Sequence, residues 1–574
     1  MPAPSSSRSG RAHAITRSSR WHLENLPFFH TPGLDQVLNS VLIYLRPTNA
    51  PYARVLFFAT ALTLGVAYAC TLRFYKEALM SRSYMTLTPN SLILRNLFAN
   101  GDGTVAVDGV LALHVLYLLV TLRHLFKYRR YFAPAEDWEN PQVFAKKRVA
   151  MHTSSIRYIS SVAAARAHAC RIELRSEDTP NIASLDGTWR FQYTEDPGSA
   201  KDLLWAKKKP SHKDWSSIPV PSNWQLSTNF DRPIYTNIQY PFPLDPPHVP
   251  SKNPTGLYQR TFTLPSSFFS SPSLKTDGYR ILFHGVSSAF YAHVNGEVVG
   301  YSQDSCLPAE FDVTKQISLG LLASGGSRTT AFTLDVIVIR WSDGSYLEDQ
   351  DHWWLSGIPR SVELIRVPSG ADVEDFAVQA DMDGHVETKV KLRSVGRGER
   401  RGTDVTCRIF GDVQTDVEGG CKKGEQVYKI TATVTAADSS VTLSGYLPSP
   451  SLWTAETPNL YTLTVELTDA SGTVLQCESQ RIGFKTVDIT REGVLTVNSK
   501  KVYIAGVNRH DHDPDTGKTI TIPSLIKDIT ILKAANFNSI RTSHYPNTTE
   551  FYKLCDFLGM YVVDEGNVET HGCK

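Results

Sequence analysis

The chain of 574 residues is long enough for three or four domains, and its 41% apolar and 10% aromatic content is typical of folded proteins. Its 59 Lys and Arg residues against 57 Asp and Glu residues give a net charge of +2, which gives no reason to expect a nucleic-acid partner. The eight cysteines are scattered and form no CxxC pair, so neither a zinc ribbon nor a disulfide framework is indicated.

The N-terminal part of the chain differs in character from the rest. Residues 1–54 form a basic arm that is rich in Ser and Arg. Residues 55–132 contain two apolar stretches, 55–72 and 109–122, and the 18 uncharged residues of the first are near the minimum for spanning a bilayer. We predict one or two transmembrane segments here. A buried helix, or an erroneous join of two coding regions, is the alternative.

The charges around these stretches indicate on which side of a membrane the rest of the chain would lie. Arg54 and the basic run Arg123–Arg130 place both chain ends in the cytosol if both stretches span the membrane. The glycosylation sequon Asn547-Thr548-Thr549 falls in the region where we predict the active site, and a glycan there would obstruct a ligand. We therefore expect a membrane-associated protein whose larger part is cytosolic. A soluble cytoplasmic protein is the alternative if the N-terminal region is mis-joined.

From Asp137 onward the sequence is typical of all-β structure, because short alternating runs recur between Gly, Pro, Asn and Asp. We predict a β-sandwich over 137–365 and a smaller one over 366–486. Asn295-Gly296 predicts a hairpin with a type I′ turn. The alternation over 461–467 predicts a strand with one buried and one solvent-exposed face.

Residues 487–574 alternate between strand and helix patterns. Strands are expected at 502–507, 539–541 and 561–563, with helices starting near Pro523 and Thr548 between them. This order predicts parallel βα units. Three such units are the beginning of an eightfold barrel, which the sequence does not complete.

Polar side chains follow each of these three strands, over 506–513, 541–545 and 564–571. Because the chemistry of a βα barrel lies just past the carboxyl ends of its strands, three such clusters favour an active site over solvated loops. Glu569 and His571 are two residues apart and would face the same side of an extended backbone. That pair suits a metal with oxygen and nitrogen ligands, and Mg²⁺ is one candidate.

These clusters resemble motifs of glycoside hydrolase family 2, specifically of the large bacterial-type β-galactosidases. The resemblance covers about 137–574, and the segments that carry it are 137–141, 186–189, 221–225, 233–237, 341–351, 506–510, 543–547 and 564–572. It implies a mainly β multidomain fold with a jelly-roll-like sugar-binding sandwich, an immunoglobulin-like sandwich and an incomplete TIM barrel over 487–574. It also implies retaining hydrolysis of terminal β-D-galactosides such as lactose, and full-length relatives that are oligomeric.

The resemblance implies four substrate-binding residues. His510 and His544 are similar to histidines that hold galactose hydroxyls. Asp351 resembles a carboxylate that contacts the galactosyl group and a Na⁺ ion, and Asn237 resembles a sugar-contacting asparagine of the first sandwich.

Three further residues are implied around them. Glu569 and His571 resemble two protein ligands of the active-site Mg²⁺. Arg541 resembles an arginine that orients nearby carboxylates through a bidentate pair without touching the substrate.

The sequence departs from the family pattern in its catalytic carboxylates. The family's acid/base glutamate, in an Asn-Glu-Ser context, and its nucleophilic glutamate lie on later strands, and no such segment occurs in this sequence. Retaining hydrolysis needs two carboxyls ~5–5.5 Å apart that flank the bond, whereas Glu565 and Glu569 come from one strand end. We therefore name no catalytic residue and expect the chain as written to be inactive. The alternatives are a membrane-tethered, non-catalytic carbohydrate-binding protein and a relative of the β-glucuronidases or β-mannosidases.

Overall fold

The computed structural model describes residues 136–572, apart from 153–155, 174–178, 206–214, 271–275, 371–372, 394–402, 419 and 436. The basic arm and the predicted transmembrane segments 55–72 and 109–122 lie outside the described residues. In the part of the chain that is described, no helix has both the length and the apolar character needed to cross a bilayer.

The first domain is a β-sandwich. Its strands are β1 (Ala145–Lys146), β2 (Ile182–Ser184), β3 (Gly187–Thr194), β4 (Ser216–Val220), β5 (Ser222–Asn223), β6 (Tyr235–Thr236), β7 (Thr255–Thr263), β8 (Gly278–Phe283), β9 (Ala289–Val294), β10 (Glu297–Gln303), β11 (Ala309–Asp312), β12 (Ala331–Ile339), β13 (His352–Trp353), β14 (Gly357–Ile358) and β15 (Val362–Val367). Its helices are α1 (Val162–Ala169), α2 (Pro197–Trp205), α3 (Trp224–Ser227) and α4 (Thr314–Ala323), and short 3₁₀ turns occupy Asp137–Glu139, Ser266–Ser270 and Asp343–Tyr346.

Two antiparallel sheets of this domain face each other. The larger has the order β1-β10-β9-β12-β7-β3-β4, and the smaller has the order β11-β8-β15-β2. Apolar residues follow one another almost without interruption in the central strand β12. Val336 and Val338 point into the core between the sheets, whereas Ile337 and Ile339 belong to a separate apolar cluster on the outer face. Both faces of β12 are therefore buried.

The predicted hairpin lies at the edge of this sheet and is confirmed. β9 ends at Val294 and β10 begins at Glu297, and the two residues between them, Asn295 and Gly296, have φ angles of 51° and 82°. A type I′ turn requires positive φ at both central positions, which Asn and Gly adopt most readily.

A second sandwich follows. Its strands are β16 (Val373–Ala380), β17 (His385–Leu392), β18 (Thr403–Phe410), β19 (Val413–Gln414), β20 (Cys421–Lys422), β21 (Gln426–Val434), β22 (Ser440–Tyr446), β23 (Tyr461–Thr468) and β24 (Val474–Ile482). They form sheets of order β16-β17-β22 and β21-β18-β23-β24, together with the short pair β19-β20.

The prediction that the strand over 461–467 has one solvent-exposed face is wrong. Thr462 and Thr464 are 0% exposed and Glu466 is 2% exposed. Helix α1 packs on this sheet, with Ser479 Oγ of β24 donating to the carbonyl of Ala165 at 2.6 Å. The polar face is therefore buried beneath a helix from a distant part of the sequence, and its groups are satisfied internally.

The third domain begins with a small antiparallel sheet and continues with βα units. Its elements are β25 (Val487–Ile489), β26 (Leu495–Val497), β27 (Lys500–Lys501), β28 (Gly506–Asn508), α5 (Ile522–Ala534), β29 (Ser539–Arg541), α6 (Thr549–Leu558) and β30 (Tyr561–Val563). Strands β28, β29 and β30 pair in parallel, as predicted. The strand predicted at 502–507 is shorter than expected, because only Gly506 and the two residues after it pair with β29.

Local signals account for the two helices. Thr521 caps α5 by accepting a hydrogen bond from the Ser524 backbone N–H, and Pro523 lies in the first turn, where its missing N–H costs nothing. Gly559 ends α6 in the left-handed conformation with a φ of 77°. Leu525 of α5 and Phe551 of α6 are buried in a core that includes Ile540 of β29. The helices therefore cover one face of the parallel sheet.

Candidate functional site

The three polar clusters lie side by side, because parallel pairing brings the carboxyl ends of β28, β29 and β30 to the same edge. The first two loops are tied together by Arg509, which is buried. Its Nη1 donates to Asp511 at 3.0 Å and to Asn547 of the next loop at 3.1 Å, and its Nε donates to Asp528 of α5 at 3.0 Å. Asn547, the asparagine of the sequon, is only 7% exposed.

His510 and His544 meet in this arrangement. Their ring centroids are 5.3 Å apart and the rings are nearly perpendicular. Burial and the neighbouring His544 lower the pKa of His510, while Asp351 opposes that shift. A neutral imidazole both donates and accepts a hydrogen bond, which is what a sugar hydroxyl also does.

Arg541 lies behind His544. Its Nε donates to Glu565 Oε1 at 2.5 Å, and its Nη2 approaches His544 Nδ1 at 3.2 Å. Glu565 Oε2 is also 3.3 Å from that Nδ1. Arg541 thus makes a single bond to the carboxylate and bridges it to the histidine, whereas the resemblance implied a bidentate pair.

Asp351 reaches this edge from the first domain. Tyr235 Oη donates to its Oδ1 at 2.5 Å. Antiparallel pairing of β6 with β13 aligns Thr236 with His352, and Asn237 directly follows β6 while Asp351 directly precedes β13. Asn237 is exposed. Both predicted sugar-contacting residues of the first domain therefore lie directly next to one short β ladder.

Glu569 and His571 follow β30 and face Asp349. His571 Nδ1 is 3.0 Å from Asp349 Oδ2, and its Nε2 is 3.6 Å from Glu569 Oε1. Asp349 is fully buried, and its second oxygen has no hydrogen-bond partner within the described part of the chain. A carboxylate on one ring nitrogen leaves the other nitrogen oriented for a metal, a frequent arrangement around metal-bound histidines. Among residues 136–572 as described, no group of three or more His, Cys, Asp or Glu has a metal-holding arrangement.

The loop after β30 docks on the first domain through its backbone. The N–H of Glu569 donates to Leu347 O at 2.7 Å, and the N–H of Asp349 donates back to Glu569 O at 3.1 Å. Gln350 Nε2 adds a bond to Asn567 Oδ1 at 3.0 Å. This contact holds the third cluster beside the segment that ends in Asp351.

Several residues of the site escaped the sequence reasoning. Tyr235, Asp349 and Glu565 lie within segments that carry the family resemblance, but local sequence gives them no role because their partners are distant in sequence or on another strand. His352 was not singled out. It is 8% exposed, neither ring nitrogen has a hydrogen-bond partner among the described residues, and burial lowers its pKa well below the usual value. Its position next to Asp351 was the available signal.

Three models of one family match successive parts of the chain between residues 182 and 574. "Glycosyl hydrolases family 2, sugar binding domain" matches residues 182–368, "Glycosyl hydrolases family 2" matches 371–485, and "Glycosyl hydrolases family 2, TIM barrel domain" matches 487–574. The two sandwiches and the βα units therefore correspond, in this order, to the three domains that the family models describe.

Two curated proteins of similar sequence show which members of the family the chain resembles. The chain is 39% identical over 471 residues to a β-galactosidase of Pseudoalteromonas haloplanktis, covering 79% of this chain and 40% of that protein. It is 41% identical over 440 residues to a β-galactosidase of Vibrio vulnificus strain CMCP6, covering 76% of this chain and 39% of that protein. The chain belongs to glycosyl hydrolase family 2, and these relatives within the family are β-galactosidases. It spans about two fifths of the length of these curated relatives.

A solved structure shows the same fold. The β-glucuronidase of Bifidobacterium dentium superposes with a TM-score of 0.53 at 21% identity, covering 67% of this chain and 61% of that one. At that identity the likeness concerns the fold and does not extend to the substrate.

Proposed function

We propose that this chain supplies part of the galactoside-binding site of a family 2 glycosidase that acts on terminal β-D-galactosides. The observation that carries the proposal is the pairing of two half-buried histidines, His510 and His544, together with the electrostatic interaction of His510 with the Asp351 carboxylate of another domain. A carboxylate accepts hydrogen bonds from two neighbouring hydroxyls, and neutral imidazoles fit the remaining ones. The β-galactosidases to which the chain is about 40% identical support galactosides as the substrate class.

Calorimetric titration with isopropyl 1-thio-β-D-galactoside tests this proposal, because the sulfur linkage resists hydrolysis. We expect binding of the galactoside and at least tenfold weaker binding of the matching thioglucoside, which differs only at one hydroxyl. Asp351→Asn should weaken binding of the thiogalactoside by about tenfold or more, since a hydrogen bond to a charged group contributes about 1.5–3 kcal/mol. Asp488→Asn, at an exposed aspartate of β25, is the matched control and should leave the affinity unchanged.

Equal affinity for both sugars, with no effect of Asp351→Asn, would overturn the proposal. Binding of the galactoside by the complete natural protein without any turnover would favour the second reading, a carbohydrate-binding protein that does not hydrolyse its ligand.

We also propose that Glu569 and His571 are ligands of a Mg²⁺ ion, with Asp351 as a ligand of Na⁺. The orientation of His571 by Asp349 supports the first assignment, and Mg²⁺ commonly takes only one or two protein carboxylates and keeps several waters. The ion would supply positive charge beside the sugar. Titration with MgCl₂ should give binding that Glu569→Gln abolishes and Glu565→Gln preserves; unchanged binding in Glu569→Gln would contradict the assignment.

Membrane association through residues 55–122 is a separate proposal, and the uncharged stretch 55–72 supports it. Carbonate extraction of membranes from cells that express the chain tests it. We expect the whole chain to stay in the membrane pellet and a variant that lacks 55–122 to leave it. Release of the whole chain by carbonate would contradict the proposal.

A further inference from the structure

The short ladder of β6 and β13 carries two exposed aromatic side chains. Tyr235 and Trp353 are directly paired across the ladder, and they are 51% and 42% exposed. Their ring centroids are 5.5 Å apart, and the ring planes meet at 51°. A single exposed aromatic residue is common on protein surfaces, whereas two large rings in contact with each other form an apolar patch that is typical of a binding site. We call this pair the aromatic platform.

The Asp351 carboxylate lies on the same side of the ladder as the platform. Successive side chains of an extended segment point to opposite sides, so Asp351 and Trp353, two residues apart, point the same way. The contacts of Tyr235 agree with this placement, because its ring contacts the Trp353 ring while its hydroxyl donates to Asp351 Oδ1 at 2.5 Å. The Tyr235 ring therefore connects the carboxylate to the indole.

The opposite side of the ladder is fixed to the body of the first domain. Trp354 is buried, its Nε1 donates to Thr236 Oγ1 at 2.6 Å, and its ring centroid is 4.8 Å from that of His352. The backbone N–H of Trp354 also donates to Ile234 O at 2.7 Å. These contacts hold the ladder in place, so the platform is ordered before a ligand binds and less conformational entropy is lost on binding.

An aromatic surface beside a carboxylate suits a ligand with two chemically different ends. The carboxylate accepts hydrogen bonds from hydroxyl groups. The electron-rich face of an aromatic ring attracts C–H groups, which carry partial positive charge at the edge of an aryl ring or on the face of a sugar ring. Ligand sites commonly combine such apolar surface with a few polar groups that fix the orientation of the ligand.

We propose that Tyr235 and Trp353 form a subsite that stacks against a ring attached to the anomeric position of the galactoside. The ligand class is a β-galactoside whose substituent is an aryl group or a second pyranose, because both present a ring with C–H groups. The inference rests on the galactoside site proposed above, where Asp351 holds hydroxyls of the galactosyl group, and it specifies which galactosides that site prefers.

Calorimetric titration of the whole chain with phenyl and methyl 1-thio-β-D-galactoside tests the subsite, since these ligands differ only in the substituent. We expect the phenyl compound to bind about fivefold more tightly, which is the size of a typical aromatic contact. Trp353→Ala should reduce this ratio to about one, and Trp353→Phe, which keeps a ring, should retain most of it. Tyr446→Ala, at a 65% exposed aromatic residue of β22, is the matched control and should leave the ratio unchanged.

Two further titrations define the subsite more closely. Tyr235→Phe keeps the ring and loses the bond to Asp351, so both ligands should bind more weakly while their ratio persists. The sulfur-linked analogue of lactose shows the kind of ring. A gain over the methyl compound like that of the phenyl compound means that the platform accepts a second sugar, and a gain limited to the phenyl compound means that it accepts aryl groups alone.

The outcomes separate this inference from the galactoside site on which it rests. Equal affinity of the unmutated chain for the phenyl and methyl compounds would overturn the subsite alone, and this result does not depend on whether any variant folds. A preference for the phenyl compound that survives in Trp353→Ala would also overturn it, as would an equal loss of both ligands, which would place the galactosyl ring itself on the platform. Absence of binding of either galactoside would overturn the proposed function and the subsite together.

Discussion

Asp351 depends on a neighbour that the sequence pattern did not identify. The Tyr235 hydroxyl, on β6, donates to Asp351 Oδ1 at 2.5 Å and so fixes the carboxylate that interacts electrostatically with His510. Tyr235→Phe removes this bond but keeps the charge, and we expect a loss of thiogalactoside affinity of about two- to fivefold, smaller than that of Asp351→Asn.

The double variant distinguishes positioning from direct contact. If Tyr235 acts through Asp351, Tyr235→Phe should not weaken thiogalactoside binding further in a protein that already carries Asp351→Asn. Additive losses measured by calorimetry would show instead that Tyr235 contacts the sugar itself.

A buried carboxylate of the first domain, Glu363, contributes to the stability at acid pH. Glu363 bonds to Arg157 Nη1 at 3.1 and 3.0 Å and to His284 Nε2 at 3.1 Å. Burial alone would raise its pKa, but Arg157 and His284 outweigh burial and lower the pKa from 4.5 to about 2. Since the folded-state pKa is the lower one, the stabilisation is present above pH 4.5 and is lost as the pH falls toward 2.

Glu363→Gln tests this linkage. At pH 6 the variant should lose about 3 kcal/mol or more of unfolding free energy, because it leaves the Arg157 charge buried without a counter-charge. Its stability should then change less than that of the parent between pH 4.5 and pH 2. Parallel curves of thermal midpoint against pH for both proteins would rule out Glu363 as the group that titrates.

The sequence identifies such residues unevenly. His510, His544 and Asp351 lie in motifs, so their residue types and strand-end positions were sufficient to select them. Asp349 was not assigned a role although it lies two residues before Asp351, because its function depends on His571, which is 222 positions away. Local sequence carries no information about such a pairing.

At the scale of elements, Gly559 joins the third domain to the second. It ends α6 with a φ of 77°, and a Cβ added there would lie 2.3 Å from the Ala455 carbonyl oxygen. Lys533 Nζ reinforces this contact by donating to the carbonyls of Ala455 and Gly559 at 3.0 and 2.9 Å. Gly559→Ala should therefore lower the free energy of unfolding by about 2 kcal/mol or more. The alanine would strain a backbone with positive φ, and its Cβ would clash with the Ala455 backbone, which cannot move easily.

Gly566→Ala is the matched control for this substitution. Gly566 lies on the exposed loop after β30, and nothing is within 4 Å of an added Cβ. Its variant should stay within about 0.5 kcal/mol of the parent in urea unfolding. Equal effects of the two substitutions would show that the helix end does not bear on the docking of the domains.

The elements that the sequence predicts well are those with strong local signals. Strands 539–541 and 561–563 and the end of α6 at Gly559 are confirmed, because apolar runs with a glycine stop leave few alternatives. The second face of β23 could not be predicted, since α1 covers it from some 300 positions away. The strand expected from 502 starts only at Gly506, because strand pairing depends on a partner and not on apolar character alone.

At the scale of the whole molecule, the proposed site is shared between domains. The first domain contributes Asp351 and the third contributes His510 and His544, and the two are held in register by backbone bonds between Leu347, Asp349 and Glu569. A loop that is fixed by main-chain hydrogen bonds tolerates side-chain change better than one fixed by side chains. We therefore expect the position of Asp351 to survive substitution of Glu569.

The 574-residue chain by itself should give no hydrolysis of a chromogenic β-galactoside above the buffer rate. Glu565 is held by Arg541 and His544, and Glu569 faces His571, so neither is placed to flank a glycosidic bond opposite the other. A colorimetric assay that gave turnover well above buffer, and that lost it in Glu565→Gln or Glu569→Gln, would show that these carboxylates are catalytic.

A crystal structure of the chain with isopropyl 1-thio-β-D-galactoside tests the shared site most directly. We expect the galactosyl ring to bind between the first and third domains, with its hydroxyls within hydrogen-bond distance of Asp351, His510 and His544. A sugar bound elsewhere, or bound to residues of only one of the two domains, would contradict it.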